Sequence, residues 1–225
     1  MSKLFALIVF LAVAAVSPAQ TNAPGTVQAT GTVTLSVNPN QAQLDVSVIT
    51  QGTTAQQAAQ QNATQTTAVI NALNQVLRLT GTIQTVNYSV YPRYSTAPGQ
   101  NEVVVGYTAS NTLRLTTDDL TLPGPLIDAA NQAGASSIGN LTFGLRDSEP
   151  SKQQALSAAA KQAQAHATAI AAGLGGKTGA LVSAQEIASS SYPIVGTAGV
   201  SSTQTPVLTG TVSVSATVTI TVQLM

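Results

Sequence analysis

The sequence predicts an α+β fold: antiparallel sheets of long hairpins, with two long amphipathic helices packed on one face. Three observations predict it. The opening and closing segments alternate apolar and small polar residues with the strict period of two of a half-buried strand. Two long stretches rich in Gln, Asn and Ala instead repeat their apolar residues at helical spacing. Read in order, the elements run β-β-α-β-β-α-β-α-β-β, with no short-period repeat of the solenoid or propeller kind.

From Thr26 to Val37, residues Val27, Ala29, Gly31, Val33, Leu35 and Val37 share one face, and Thr, Ser and Gln28 share the other. Asn38-Pro39-Asn40-Gln41 reads as a turn. Leu44, Val46 and Val48 then alternate with Gln43, Asp45 and Ser47, which predicts a second strand and a hairpin. The next stretch carries Thr53 and Gln56 at capping-box spacing, followed by Ala55, Ala59, Ala63, Thr66, Ile70, Leu73 and Leu77 as an apolar stripe. Arg78 suits the negative end of that helix and Gly81 its stop.

Strands are predicted over Ile83–Val90 and Glu102–Thr116, the latter with Val103, Val105, Tyr107, Ala109, Leu113 and Leu115 on one face. Between them, Pro92, Pro98 and Gly99 mark a hairpin connection or a strand edge, because proline cannot donate to a central ladder. Asp118-Asp119 reads as the cap of a short helix ending near Gly134, and Ile138 to Leu145 as a strand. The second long helix starts at Asp147 or Ser148, holds Pro150 in its first turn, and carries the stripe Leu156, Ala160, Ala163, Ala167, Ile170 and Leu174. A strand over Leu181–Ala188 and a loop over Ser189–Thr205 follow. The chain closes on Val212, Val214, Ala216, Val218, Ile220, Val222 and Leu224, each separated by a small polar residue.

One lysine precedes an apolar run from Leu4 to Val16, and Ser17 and Ala19 are small residues at signal-peptidase spacing. Residues 1–19 therefore read as a secretory signal peptide, cleaved after Ala19. The run is shorter than the roughly 20 apolar residues that span a bilayer. Residues 20–225 remain as one domain, or as two subdomains. Only 7% of residues are charged, against a usual share of about 25%. Net charge is zero, so nucleic-acid binding has no electrostatic support and self-association meets no charge repulsion. The chain has no cysteine, which excludes disulfides, thiolate metal sites and a lipid-bearing cysteine.

Candidate chemistry is sparse. "AAGLGGKTG" (171–179) ends like a phosphate loop but lacks the first glycine, and follows a helix rather than a strand. Its glycines read as a helix stop. His166 is the one histidine and lies about 80° from the centre of its helix's stripe, a boundary position. With no second histidine and no cysteine, no transition-metal site is expected, and no cofactor. Adjacent Asp118 and Asp119 read as caps rather than paired acids, and no Gly-x-Ser-x-Gly elbow occurs. Four of the five tyrosines, Tyr88, Tyr91, Tyr94 and Tyr107, cluster around "YPRY". Tyr88 is in register with Val86 and Val90 and is expected on a covered face. Tyr91 and Tyr94 flank Pro92-Arg93 where a strand leaves the sheet. Tyr91, Arg93, Tyr94 and Tyr107 are the candidate residues, as a structural corner, a subunit contact or a small-ligand platform.

The pieces "QLDVSV" after the Pro39 turn, "VINALNQVLRLTG", "IQTVNYSVYPRY", "VVGYTASNTLRLTTDDL", "LIDAANQAGASSIGNLTFGLRD", "ALSAAAKQAQAHATAIAAGLGG" and "GTVSVSATVTITVQL" carry a resemblance. In this order they resemble the SIMPL-domain family of bacterial secreted proteins, which includes periplasmic immunogens and oxidative-stress-defence-like proteins. The resemblance spans nearly the whole chain after residue 19. It implies an α+β fold, export to the periplasm or beyond, and homo-oligomers; it supplies no catalytic residue. The chain departs from the family in its scarcity of charge and in Asn40, where members often carry an acidic residue. The leading expectation is an exported, non-enzymatic envelope protein that self-assembles and supports stress tolerance. The alternatives are a periplasmic small-ligand binding module built on Tyr91, Arg93 and Tyr94, and a hydrolase.

Overall fold

A computed structural model describes residues 25–95, 102–194 and 205–225, except for the side chains of 188–194. The signal segment and its cleavage site lie outside the described residues, as do Pro98, Gly99 and residues 195–204 of the expected loop. Among the described residues, seven strands and three helices follow one another as β1 (Thr26–Val37), β2 (Gln41–Gly52), α1 (Ala55–Leu77), β3 (Gly81–Ser95), β4 (Val103–Thr117), α2 (Pro123–Gln132), β5 (Ser137–Gly144), α3 (Glu149–Gly173), β6 (Thr178–Ile194) and β7 (Thr211–Leu224). They build two antiparallel sheets, one in the order β1-β7-β6 and one in the order β3-β4-β2-β5. The expected α+β class is what the chain adopts, with one long helix packed on each sheet. β6 runs on through Ile194, so Ser189 to Ile194, expected in a loop, are strand.

The expected β1–β2 hairpin does not form. β1 pairs with β7 along its whole length, from Thr26 opposite Gln223 to Val37 opposite Val212. β2 pairs with β4 and β5. Asn38 to Asn40 carries the chain from one sheet to the other, and Asn40 N donates to Gly144 O across the junction. A turn signal reports a change of direction but not which strand lies alongside, and β7 offers β1 a complementary alternating face from the far end of the chain.

α3 corrects the expected stripe by one position. It buries Ala155, Ala159, Ala163, Ala167 and Ala171 completely, while Ile170 and Leu174 stay 43% and 68% exposed. The alanines let the helix backbone lie on Gly31, where an added Cβ would sit 2.1 Å from Ala159 O and 2.6 Å from Ala163 N. From this position α3 also satisfies the free edge of β1: Thr32 N donates to Gln162 Oε1, and His166 Nδ1 donates to Thr30 O at 2.8 Å. His166 is thus an edge cap for a strand.

α1 packs Val69, Leu73 and Leu77 against Leu44, Val46, Val48, Leu113 and Leu115, with Leu126 and Ala130 of α2 closing the side. Its cap is Thr54, whose side chain accepts from Gln57 N, while Thr53 N and Oγ1 donate to Gln57 Oε1; the expected Thr53/Gln56 box is shifted by one. The buried stripe runs Ala58, Asn62, Thr66, Val69, Leu73, Leu77 rather than through Ala59 and Ala63. Asn62 is fully buried and donates through Nδ2 to Val48 O and Ala109 O. The helix stops at Arg78, which takes a positive φ of 52°, rather than at Gly81. Gly81 opens β3, where a Cβ would stand 2.5 Å from Thr116 O.

The other sheet edges are blunted by different means. β6 changes register three times against β7. β3 carries Pro92 and two register shifts, and β5 is only 8 residues long. Such devices disfavour strand-to-strand pairing with another chain.

Candidate functional site

β2 ends with Gly52 opposite Tyr107. Beyond that point β4 has one neighbour only, and Val103–Gly106 pairs with Arg93–Ser95 as a two-stranded ribbon projecting past the sheet. "YPRY" is therefore the end of an edge strand, not a corner: Pro92 lies in register with Tyr107 and Arg93 with Gly106. An edge strand tolerates the missing proline N–H.

A register shift between Arg93 and Tyr94 breaks the alternation that predicts Val103, Val105 and Tyr107 on one face. Large apolar side chains instead meet water on both faces: Tyr88, Tyr91 and Tyr94 are about half exposed, and so are Val103, Val104 and Val105. Tyr88, expected under cover, is 52% exposed because it sits on the outermost strand, away from the apolar C-terminal half of α1. Tyr107 is half-buried. Alternation along β3 puts Tyr91 and Arg93 on one side of the ribbon and Tyr94 with Pro92 on the other. Arg93 Nη1 donates to Gln51 Oε1, which steadies the guanidinium beside the ribbon. The four candidate residues are brought into one ribbon, but split over two faces they do not wall a pocket. Clustered apolar side chains on such a surface suit a protein contact.

Two polar centres lie elsewhere. On the open face of the four-stranded sheet, Arg114 Nε and Nη2 donate to Asp45 Oδ1 and Oδ2 at 2.8 and 2.9 Å, and Asn140 Nδ2 adds a third bond at 3.0 Å. Asn140 reaches the carboxylate from a left-handed backbone (φ 51°). The Arg114 hydrogen bonds hold the Asp45 carboxyl below its ordinary value despite burial, which pushes the other way. Sequence reading missed this centre because Asp45 and Arg114 are each unremarkable polar positions of alternating strands, joined only by register.

A carboxyl whose pKa is depressed by folding stabilises the fold above its unfolded value, and that contribution disappears as pH falls through the folded one. The Asp45→Asn protein is expected to unfold at lower urea than wild type at pH 7. The gap should shrink as pH drops below about 4. Urea midpoints of both proteins between pH 7 and pH 2.5 check this; a gap that stays constant would contradict it.

The second centre lines a cleft of about 780 Å³ between Gln41, Gly81, Thr116, Asp118 and Arg146. Asp118 accepts from Gln41 Nε2 at 3.0 Å and pairs with Arg146 at 2.9 Å. Asp119 does not cap α2, whose first position follows Leu122 without a side-chain cap. It instead accepts from Thr121 N and Oγ1 in the preceding turn, bonds that lower its pKa. The two aspartates thus serve separate local partners. At "AAGLGGKTG" α3 stops, with Gly175 at φ 78°, as the glycines imply. Among the described residues no group of three or more His, Asp or Glu side chains is placed to hold a metal ion, and no helix is long and apolar enough to cross a membrane.

The family model for SIMPL, described as a protein of unknown function (DUF541), matches residues 27–222. The match starts in β1 and ends in β7, so it takes in both sheets, and the chain belongs to this family. A search of curated proteins found no match.

Proposed function

We propose that the chain is an exported, non-enzymatic envelope protein that assembles with copies of itself and supports stress tolerance. The observation that carries the assembly is the projecting ribbon, which leaves Tyr88, Tyr91, Tyr94 and Val103–Val105 in water on a chain with little charge to keep copies apart. Tyrosine and arginine are the residue types enriched where proteins bind one another, and Tyr91, Arg93, Tyr94 and Tyr107 stand together there. Export is supported by the apolar run from Leu4 to Val16 behind Lys3. The stress role is supported by the resemblance to secreted members of the family.

A strain lacking the gene is expected to lose survival under peroxide and heat. Wild-type protein restores it, and the Tyr91→Ser/Tyr94→Ser protein, exported to equal abundance, does not. Unchanged survival in the deletion strain would remove the stress role. Full rescue by the double variant would separate that role from the ribbon.

A further inference from the structure

A second apolar surface lies on the other sheet. α3 sits over β1 and β7 because Gly31 lets it come so close there, and this leaves the inner face of β6 uncovered. A groove of about 410 Å³ results, walled by Ala160 and Lys161 of α3, Leu181 and Ala184 of β6, and Ile220 and Val222 of β7. The inward row of β7 marks where it opens: Val214 and Ala216 are fully buried, whereas Val218, Ile220 and Val222 keep 8%, 6% and 5% exposure. Leu181 is 61% exposed.

Ribbon and groove lie at the far ends of their sheets. The sheets meet where Gln41 and Gly144 approach Val212. β2 runs from that junction at Gln41 to Gly52, and the ribbon extends beyond it. β7 runs from the same junction at Thr211 to Leu224, with the groove in its outer half. A chain therefore holds one apolar projection and one apolar recess, spaced so that its own ribbon does not fill its own groove.

Their charges match. Lys161 stands on the groove wall, and Glu186, in register with Val218, is on the groove side of β6. Among the described residues the ion pairs are Asp45–Arg114 and Asp118–Arg146, so neither Lys161 nor Glu186 pairs with another described residue. The ribbon carries one charge of each sign, Arg93 and Glu102. The blunted edges, meanwhile, leave side-chain docking rather than strand addition as the mode of contact.

We infer that copies join head to tail, the Tyr91–Tyr94 and Val103–Val105 ribbon of one chain seated in the α3–β6 groove of the next, with Arg93 meeting Glu186 and Glu102 meeting Lys161. This rests on the self-assembly proposed above and adds its geometry. Such a contact is heterologous, so it closes into a ring or continues as a filament. A symmetric ribbon-to-ribbon dimer is the competing arrangement.

Two variants with opposite defects decide between them. Tyr91→Ser/Tyr94→Ser disables the ribbon, and Ala184→Glu, at an exposed position of β6, places a charge in the groove. Each alone is expected to run as a single chain in light scattering, and an equimolar mixture as a 1:1 dimer of twice that mass, because one intact ribbon meets one intact groove. A mixture that stays at single-chain mass overturns the inference, as does an Ala184→Glu protein that assembles like wild type while the ribbon variant does not; that second result leaves self-assembly standing. A wild-type chain that is itself monomeric overturns both readings. The charge pair gives an independent check, since Arg93→Glu and Glu186→Arg should each lower the assembled mass and together in one chain restore it. Failure of the double exchange to restore mass would count against the assigned contact.

Discussion

Replacing Gly31 by alanine is expected to cost about 3 kcal/mol of unfolding free energy, the upper range for an overpacked core. One methyl group is enough, because the obstruction is helix backbone: the new Cβ would stand 2.1 Å from Ala159 O and 2.6 Å from Ala163 N. No side chain can swing aside to admit it. Relief requires α3 to lift off β1. Lifting would loosen Ala159, Ala163, Ala167 and Ala171 from Val27, Ala29, Ile220 and Val222 and stretch the bonds from Thr32 to Gln162 and from His166 to Thr30. Gly139→Ala is the matched control, since a Cβ there meets nothing within 4 Å. Urea unfolding at a fixed protein concentration should show the Gly31 variant far below wild type and the Gly139 variant within about 0.5 kcal/mol of it. A Gly31→Ala protein as stable as wild type would mean that the helix does not rest on the strand as described.

Gly31 also shows what periodicity can and cannot disclose. The alternation of β1 located both ends of the strand and the face that holds Gly31. It also located the inward row of β7 from Val212 to Leu224. In α3, periodicity found the helix but chose the stripe with the larger side chains, Leu156, Ile170 and Leu174. The helix turns its alanines inward because close approach to a bare backbone gains more contact than a bulky stripe held farther off. That choice depends on the glycine opposite, more than a hundred residues away in sequence.

The burial of Asn62 is hidden from periodicity for the same kind of reason. An amide in the middle of an apolar stripe looks like a solvent-facing residue until the carbonyls of Val48 and Ala109 stand within its reach. Likewise, the residues around Pro39 mark a turn, but nothing near them in sequence marks β7 as the partner of β1.

The candidate site was half legible. The clustering of Tyr91, Arg93, Tyr94 and Tyr107 is visible in the residues, and Pro92 already pointed to an edge. Their exposure was hidden, because it follows from where β2 stops and from the register shift beside Arg93, both properties of pairing. The Asp45–Arg114–Asn140 centre was wholly hidden, since its three members come from three strands.

The second large effect concerns assembly. Burial of aromatic side chains carries much of the free energy of a protein contact, and losing one ring from each side of the ribbon removes a large part of its exposed apolar surface. Serine at Tyr91 and Tyr94 leaves the ribbon's backbone pairing intact and places small polar groups where water already reaches. The fold should therefore survive while the contact fails, which a matching circular dichroism spectrum and urea midpoint would establish.

The most direct test is the molar mass of the chain from Gln20 onward, by light scattering after size exclusion, beside the Tyr91→Ser/Tyr94→Ser protein. A uniform multiple of the single-chain mass for wild type, falling to one chain for the variant, is the predicted result. A wild-type protein that remains a single chain at every concentration, or a variant that assembles unchanged, would contradict self-assembly through the ribbon.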